Sequence, residues 1–225
     1  MTDTTNKINM LMPIGVQAYD CIRESIVKLK YMPGQALSEQ LVSNDLGISR
    51  TPVREVFIQL KKDGLVDIYS QRGTIVSCIN IRRITEAFFA RAAIETAIIR
   101  ELTEVIDQEG LELLEEIIVK QDESQTREEF FEYDTILHKA FYELTNHQVV
   151  WTWMNNLTVD ADRCRYLDLA TGYRIDELVL QHRQIVDLIK NKEIDRAVLM
   201  LEEHLSEIHE TIKKLRRKYP EFFTE

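Results

Sequence analysis

Beyond residue 80 the chain carries almost nothing that would interrupt a helix. Only Gly110, Gly172 and Pro220 stand there as breakers. Apolar residues in this part recur at helical spacing, and polar residues able to accept orphan N–H groups sit where helices should start. Asn80 opens a helix over Ile81 to Leu102 and Asp107 one from Gln108 to about Glu123. Thr126 followed by Glu129 forms a capping box for Arg127 to Leu144. Helices follow over His147 to about Leu169, Tyr173 to Lys190, and Ile194 to Lys218. With connections this short, successive helices should be antiparallel neighbours in a bundle.

The first part reads differently. Ile14 to Lys30 has Tyr19, Ile22, Ile26 and Leu29 on one stripe, and Met32-Pro33-Gly34 ends it. A short helix entered at Ser38 follows, then Gly47 as a tight turn. The stretch SRTPVREVFIQLKKDGLV, Ser49 to Val66, begins with Ser and Thr as capping residues and has Pro52 in its first turn. Val53, Phe57 and Leu60 share one face and belong to a core, whereas Arg50, Thr51 and Arg54 fall off it near the helix start. A helix N-terminus of this kind enters the major groove in helix-turn-helix proteins, where Arg can bind guanine with two hydrogen bonds. Leu65, Val66 and Ile68, a turn over Ser70 to Gly73, and Thr74 to Val76 then read as a β-hairpin. Arg72 and Gly73 lie at its tip, where a cation reaches phosphate and a glycine permits close approach. The fold expected is mainly α: a winged helix-turn-helix over 1–78 with a small hairpin wing, then an all-α antiparallel bundle over 79–225.

The net charge of −10 is unevenly placed. Residues 1–80 hold nine Lys and Arg against eight Asp and Glu, so the acidic excess lies in the bundle. A near-neutral head binds DNA through a few clustered cations, with salt-sensitive affinity. The N-terminal MTDTTNKINM lacks the charge and apolar core of a signal peptide, and no apolar run is long enough for a membrane span. The three cysteines, Cys21, Cys78 and Cys164, form no CxxC pair and fit reduced thiols in a cytoplasmic protein.

Within the bundle, Asp134 and His138 are one helical turn apart and share a face with Phe130, Leu137 and Phe141. His182 and His204 lie among apolar residues on later helices. One carboxylate and three imidazoles could meet inside a bundle as metal ligands do. A hydrogen-bonded core histidine is the ordinary alternative, and the residues alone leave both open.

The stretch LSEQLVSNDLGISRTPVREVFIQLKKDGLVDI, followed by RGTIV, resembles the winged-helix head of GntR-type bacterial transcription regulators. The likeness covers about residues 14–77. It implies binding to double-stranded operator DNA, with Arg50 and Arg54 as contacts and Gly73 at the wing tip; Ser49, Thr51 and Arg72 complete the candidates. Gln40 stands where many relatives carry Arg, which costs the site one cation. The helical part is similar to the FCD effector domain of the FadR subfamily. The D-x3-H pattern, the later H-R-x-I-V and a third His are similar to its metal-binding subset. That implies one divalent ion per chain (Zn, or Ni, Mn or Fe) on Asp134, His138, His182 and His204. It further implies a small organic or sugar acid as effector, and places Arg91 near the cavity, with Arg163 and Arg165 as further candidates. Arg91 is also one turn from Glu95 and could simply pair with it.

The function implied is that of a homodimeric repressor released from its operator by a small carboxylate, with no enzymatic activity. A metal-responsive regulator is one alternative. A metal-dependent hydrolase is another, but the sequence has no HExxH motif and that reading leaves the winged-helix head unexplained.

Overall fold

The computed structural model describes residues 13–170 and 175–225. The expected Gly172 break and the Tyr173 helix start lie outside the described residues. The chain divides into two compact units: residues up to Ile79 with Tyr219–Thr224, and Asn80–Lys218 with Glu225.

In the first unit, α1 (Ile14–Val27), α2 (Glu39–Leu46) and α3 (Arg50–Lys62) pack with β1 (Ala36–Leu37), β2 (Val66–Tyr69) and β3 (Gly73–Val76). The three strands form an antiparallel sheet in the order β1-β3-β2, with Ile68 opposite Thr74 and Tyr69 opposite Gly73. Val53, Phe57 and Leu60 of α3 are buried with Ile22 and Ile26 of α1. Each such side chain contributes about 1.5–3 kcal/mol of burial free energy. The Ser38 side chain accepts from the Leu41 N–H, and Gly47 holds the left-handed conformation at the end of α2. Two expectations change. Ser49 precedes α3 in extended conformation, but its side chain makes no cap hydrogen bond. The first helix stops at Val27, because Leu29 adopts φ 54° and turns the chain toward Pro33. Strand β1, too short to show a period, is added by the structure.

The second unit is helical: α4 (Ile81–Val105), α5 (Gln108–Asp122), α6 (Arg127–Leu144), α7 (Gln148–Leu157), α8 (Val159–Leu169), α9 (Ile175–Lys190), α10 (Ile194–Ser206) and α11 (Ile208–Lys218). Asn80 and Asp107 cap α4 and α5, and Thr126 with Glu129 forms the reciprocal capping box of α6. A Cβ at Gly110 would stand 3.1 Å from Ile106 and 3.2 Å from Leu144, so the glycine lets α5 begin close against the end of α6. The helix expected over 147–169 is two helices meeting at Thr158, where ψ relaxes to 3° and the hydroxyl donates to Asp162. The one expected over 194–218 breaks at Glu207, with ψ at −18°. Both breaks are single near-helical residues and need neither glycine nor proline. The helices set around α4 and α6 carry the buried polar residues that form the site below.

Candidate functional site

Three helices bring three imidazoles together. His138 of α6 and His182 of α9 are buried, and His204 of α10 is partly so. Their ligand-capable nitrogens lie within 4.8 Å of one another. The two Nε2 atoms of His182 and His204 are 3.3 Å apart. Helical phase explains the convergence: each histidine lies on the buried stripe of its helix, beside Leu137 and Phe141, Val179 and Ile185, or Leu201 and Leu205.

Each imidazole is held by its other nitrogen. His138 Nδ1 is 2.8 Å from Glu95 Oε2, His182 Nδ1 is 2.9 Å from Gln121 Oε1, and His204 Nδ1 is 2.7 Å from Gln181 Oε1. The orientations of the two amides follow from their remaining partners. Gln121 Nε2 donates to the Tyr133 carbonyl at 3.2 Å, and Gln181 Nε2 donates to the Glu207 carboxylate at 2.6 Å. Neither of those acceptors offers a proton, so both Gln oxygens must face the histidines. Each Nδ1 therefore carries the hydrogen, and each Nε2 presents a lone pair to the shared space.

Protons are a poor answer to these lone pairs. Burial pushes His182 and His204 well below the usual imidazole pKa, and the neighbouring imidazoles and Arg91 push the same way. Burial also lowers His138, with Arg91 adding to it and Glu95 opposing. His138 Nε2 is fully buried with no hydrogen-bond partner. Leaving such a group unpaired costs about 1–3 kcal/mol. Neutral imidazoles oriented through Nδ1 by second partners are the donor set that Zn²⁺ and similar divalent ions take. The residues present thus fit a metal ion.

Asp134, expected as a fourth ligand, lies beside the trio. Its Oδ1 is 3.6 Å from His182 Nε2, and its Oδ2 pairs with the Arg165 guanidinium. Arg91 pairs with Glu95 at 2.7 Å, both buried. Burial favours the neutral acid at Glu95, but Arg91 and His138 outweigh it and hold the carboxyl at about 2. A cavity of about 60 Å³ opens here, lined by Arg91, Arg165, His138 and His204 on one side and by Phe88 and Phe130 among its apolar walls. Arg163, expected to bind the effector, is fully buried on Asp160 and does not line this cavity; Arg165 does. His147 pairs with Glu101 at the start of α7, and His209 is exposed on α11.

The sequence did not single out Gln121, Gln181 or the role of Glu95 toward His138. Gln181 sits directly before His182, which places the two on adjacent faces of α9, and that adjacency was the available signal.

In the first unit, Ser49, Arg50, Thr51 and Arg54 are exposed at the start of α3, and Arg72 and Gly73 at the hairpin tip. Gly73 has φ 78°, a conformation that disfavours other residues. Gln40, Arg50, Arg72 and Gly73 border one concavity of about 430 Å³. Glu39 lies in the same concavity, with its carboxylate 3.0 Å from Arg50 and 3.9 Å from Arg54. Gln40 donates to Asn44 at 2.8 Å. Among the described residues, no helix is long and apolar enough to cross a membrane.

Residues 15–76 match the family described as bacterial regulatory proteins, gntR family, and residues 86–207 match the FCD domain. The chain is 31% identical over 222 residues to the HTH-type transcriptional repressor RspR of Escherichia coli, covering 97% of each chain. Among solved structures it is similar to McbR/YncC of Escherichia coli, with TM-score 0.75, 18% identity, and coverage of 92% of this chain and 99% of that one. It is also similar to a GntR regulator from a Rhodococcus species, with TM-score 0.71, 23% identity, and coverage of 88% and 97%. At these identities the structural likenesses speak for the fold, and the sequence matches carry the family. The chain belongs to the GntR family of bacterial transcriptional regulators, a winged-helix head followed by an FCD domain.

Proposed function

We propose that this regulator is a cytoplasmic homodimeric repressor whose hold on double-stranded operator DNA is controlled by a small carboxylate bound at a divalent metal site in the helical part. The observation that carries the reading is the convergence of three Nε2 lone pairs, each enforced by an Nδ1 partner on another residue. His138, His182 and His204 would hold the ion, with Asp134 beside them as an oxygen donor. A bound ion would supply a Lewis-acid site for a carboxylate oxygen. Arg165 and Arg91 would turn their guanidinium charge toward the same acid, and Phe88 and Phe130 would exclude water around it. The repressor sense is supported by the relative RspR, named a repressor. The DNA face is the start of α3 with the wing: Ser49, Arg50, Thr51 and Arg54, with Gln40, Arg72 and Gly73 around the concavity.

The test is a melting-temperature screen of small organic and sugar acids against metal-loaded protein, followed by operator release. A binder present at a hundredfold excess over its Kd stabilises the fold by about 2.7 kcal/mol. The expected hit stabilises metal-loaded protein and releases operator, and does neither after chelation. Operator release by the metal alone, with no acid required, would overturn the carboxylate reading in favour of a metal-responsive regulator.

A further inference from the structure

The cavity beside the imidazoles is built in two layers of different chemistry. Each helix that borders it brings a polar residue and, one turn away, an apolar one. Arg91 stands one turn from Phe88 on α4, and Arg165 one turn from Leu169 on α8. His204 of α10 stands one turn from Ile208, the first residue of α11. Asp134 repeats the pattern with Phe130 on α6. All of these residues border the same space. One helical turn is about 5.4 Å. A layer of guanidinium, carboxylate and imidazole groups is therefore followed, about that far on, by a layer of Phe, Leu and Ile side chains.

A ligand that gives its carboxylate to the polar layer must set its remaining atoms against the apolar one. Phe, Leu and Ile side chains return no hydrogen bond to a hydroxyl. Each sugar hydroxyl buried there without a partner weakens binding on the order of tenfold. The cavity is also bordered by Asp168 and Glu207. Asp168 accepts from Lys214 at 3.0 Å and from the Thr211 hydroxyl at 3.4 Å, and Glu207 accepts from Gln181 at 2.6 Å. These carboxylates offer a second acid group no proton and repel its charge. Size narrows the choice further. An aliphatic cavity of about 150 Å³ takes a benzene ring. The space here is about 60 Å³, which suits a short chain and not a ring.

Resting on the carboxylate reading above, we infer that the effector class is a short aliphatic monocarboxylate of about three to six carbons. Its acid group lies on the side of Arg91 and Arg165, and its chain lies against Phe88, Phe130, Leu169 and Ile208. The layer spacing of about 5.4 Å matches a chain on the order of four carbons. The apolar layer turns away sugar acids, and Asp168 and Glu207 turn away dicarboxylates.

The test is calorimetric titration of the Zn²⁺-loaded full chain with acetate, propionate, butyrate, pentanoate and hexanoate, and with gluconate, succinate and benzoate. Each added CH₂ should tighten binding about fourfold until the apolar layer is filled. Gluconate, succinate and benzoate should each bind about tenfold or more weakly than butyrate. Leu169 is half-buried at the end of α8, so Leu169→Ser should leave the fold intact. That variant should keep its Zn²⁺ and its acetate affinity and lose about tenfold in pentanoate affinity. Affinity that is flat along the series, or equal losses of acetate and pentanoate binding in Leu169→Ser, would overturn the inference. Gluconate or succinate bound more tightly than the aliphatic acids would also overturn it, and would leave the broader carboxylate reading standing. A Zn²⁺-loaded chain that binds no acid of any of these classes would sink both.

Discussion

The two candidate sites handle polar groups in opposite ways. At the head, cations stand on the surface around a wide concavity, and Arg54 is 76% exposed. Glu39 lies among them, 3.0 Å from Arg50 and 3.9 Å from Arg54. In the helical part, histidines, carboxylates and guanidinium groups are buried, and nearly every nitrogen and oxygen has an assigned partner. Exposed charge is cheap to display and suits a large, strongly anionic partner in water. Buried polar groups are costly and are kept only when paired, so an unmet lone pair in such a place points to a missing ligand. Under the function proposed above, the first site is the surface for DNA and the second the cage for an ion.

The largest effect expected is on the cage. His182→Ala should abolish binding of the ion, and with it about 4 kcal/mol of stability at a thousandfold excess of metal over Kd. Calorimetric melting with and without a chelator checks this, and equal melting temperatures for metal-treated wild type and variant would break the contrast. Operator affinity without effector should be unchanged in the same variant.

Next come the partners that orient the cage. Gln121→Leu removes the acceptor that fixes His182 Nδ1–H, while leaving all three ligand nitrogens in place. Metal affinity should fall 10–100-fold, as for other residues that orient ligands. Competition with a fluorescent chelator measures it, and wild-type affinity would mean that the tautomers are not set by these side chains.

Effects at the head should be smaller and should depend on salt. Arg54→Ala should weaken operator binding by about 1–3 kcal/mol if the side chain reads a base edge. A phosphate contact would lower affinity for operator and scrambled DNA together. Glu39→Gln should act in the opposite direction. It removes the carboxylate beside Arg50 and Arg54 and should strengthen DNA binding by a few-fold at low salt. A loss of affinity instead would assign Glu39 a positioning role for the arginines. Fluorescence anisotropy across a salt series separates these outcomes.

The same contrast explains what could be read in advance. The head is local: capping at Ser38, the left-handed Gly47, the Val53-Phe57-Leu60 stripe and the hairpin all follow from residues a few positions apart. The helical part was legible as helices, because Asn80, Asp107 and Thr126 cap theirs in place. The breaks at Thr158 and Glu207 were not, since neither stands beside a glycine or proline and Thr158 makes no side-chain cap hydrogen bond. At the cage, phase along each helix was enough to turn His138, His182 and His204 inward. The partners of those histidines come from other helices or from a neighbouring residue whose direction no periodicity reveals. That is why Gln121, Gln181 and the role of Glu95 toward His138 escaped notice, and why Arg163, buried on Asp160, and Arg165, which lines the cavity, stood together as candidates. Asp134 was grouped with the histidines by its one-turn spacing from His138, whereas its partner Arg165 comes from α8.

The central claim is that the three convergent imidazoles form a site for a divalent ion. Elemental analysis of the purified chain after dialysis against metal-free buffer tests it most directly. About one divalent ion per chain in wild type, and none in His182→Ala, is the result expected. Wild type that carries no ion, takes none up when offered Zn²⁺, Ni²⁺ or Mn²⁺, and melts at the same temperature with and without chelator would contradict it.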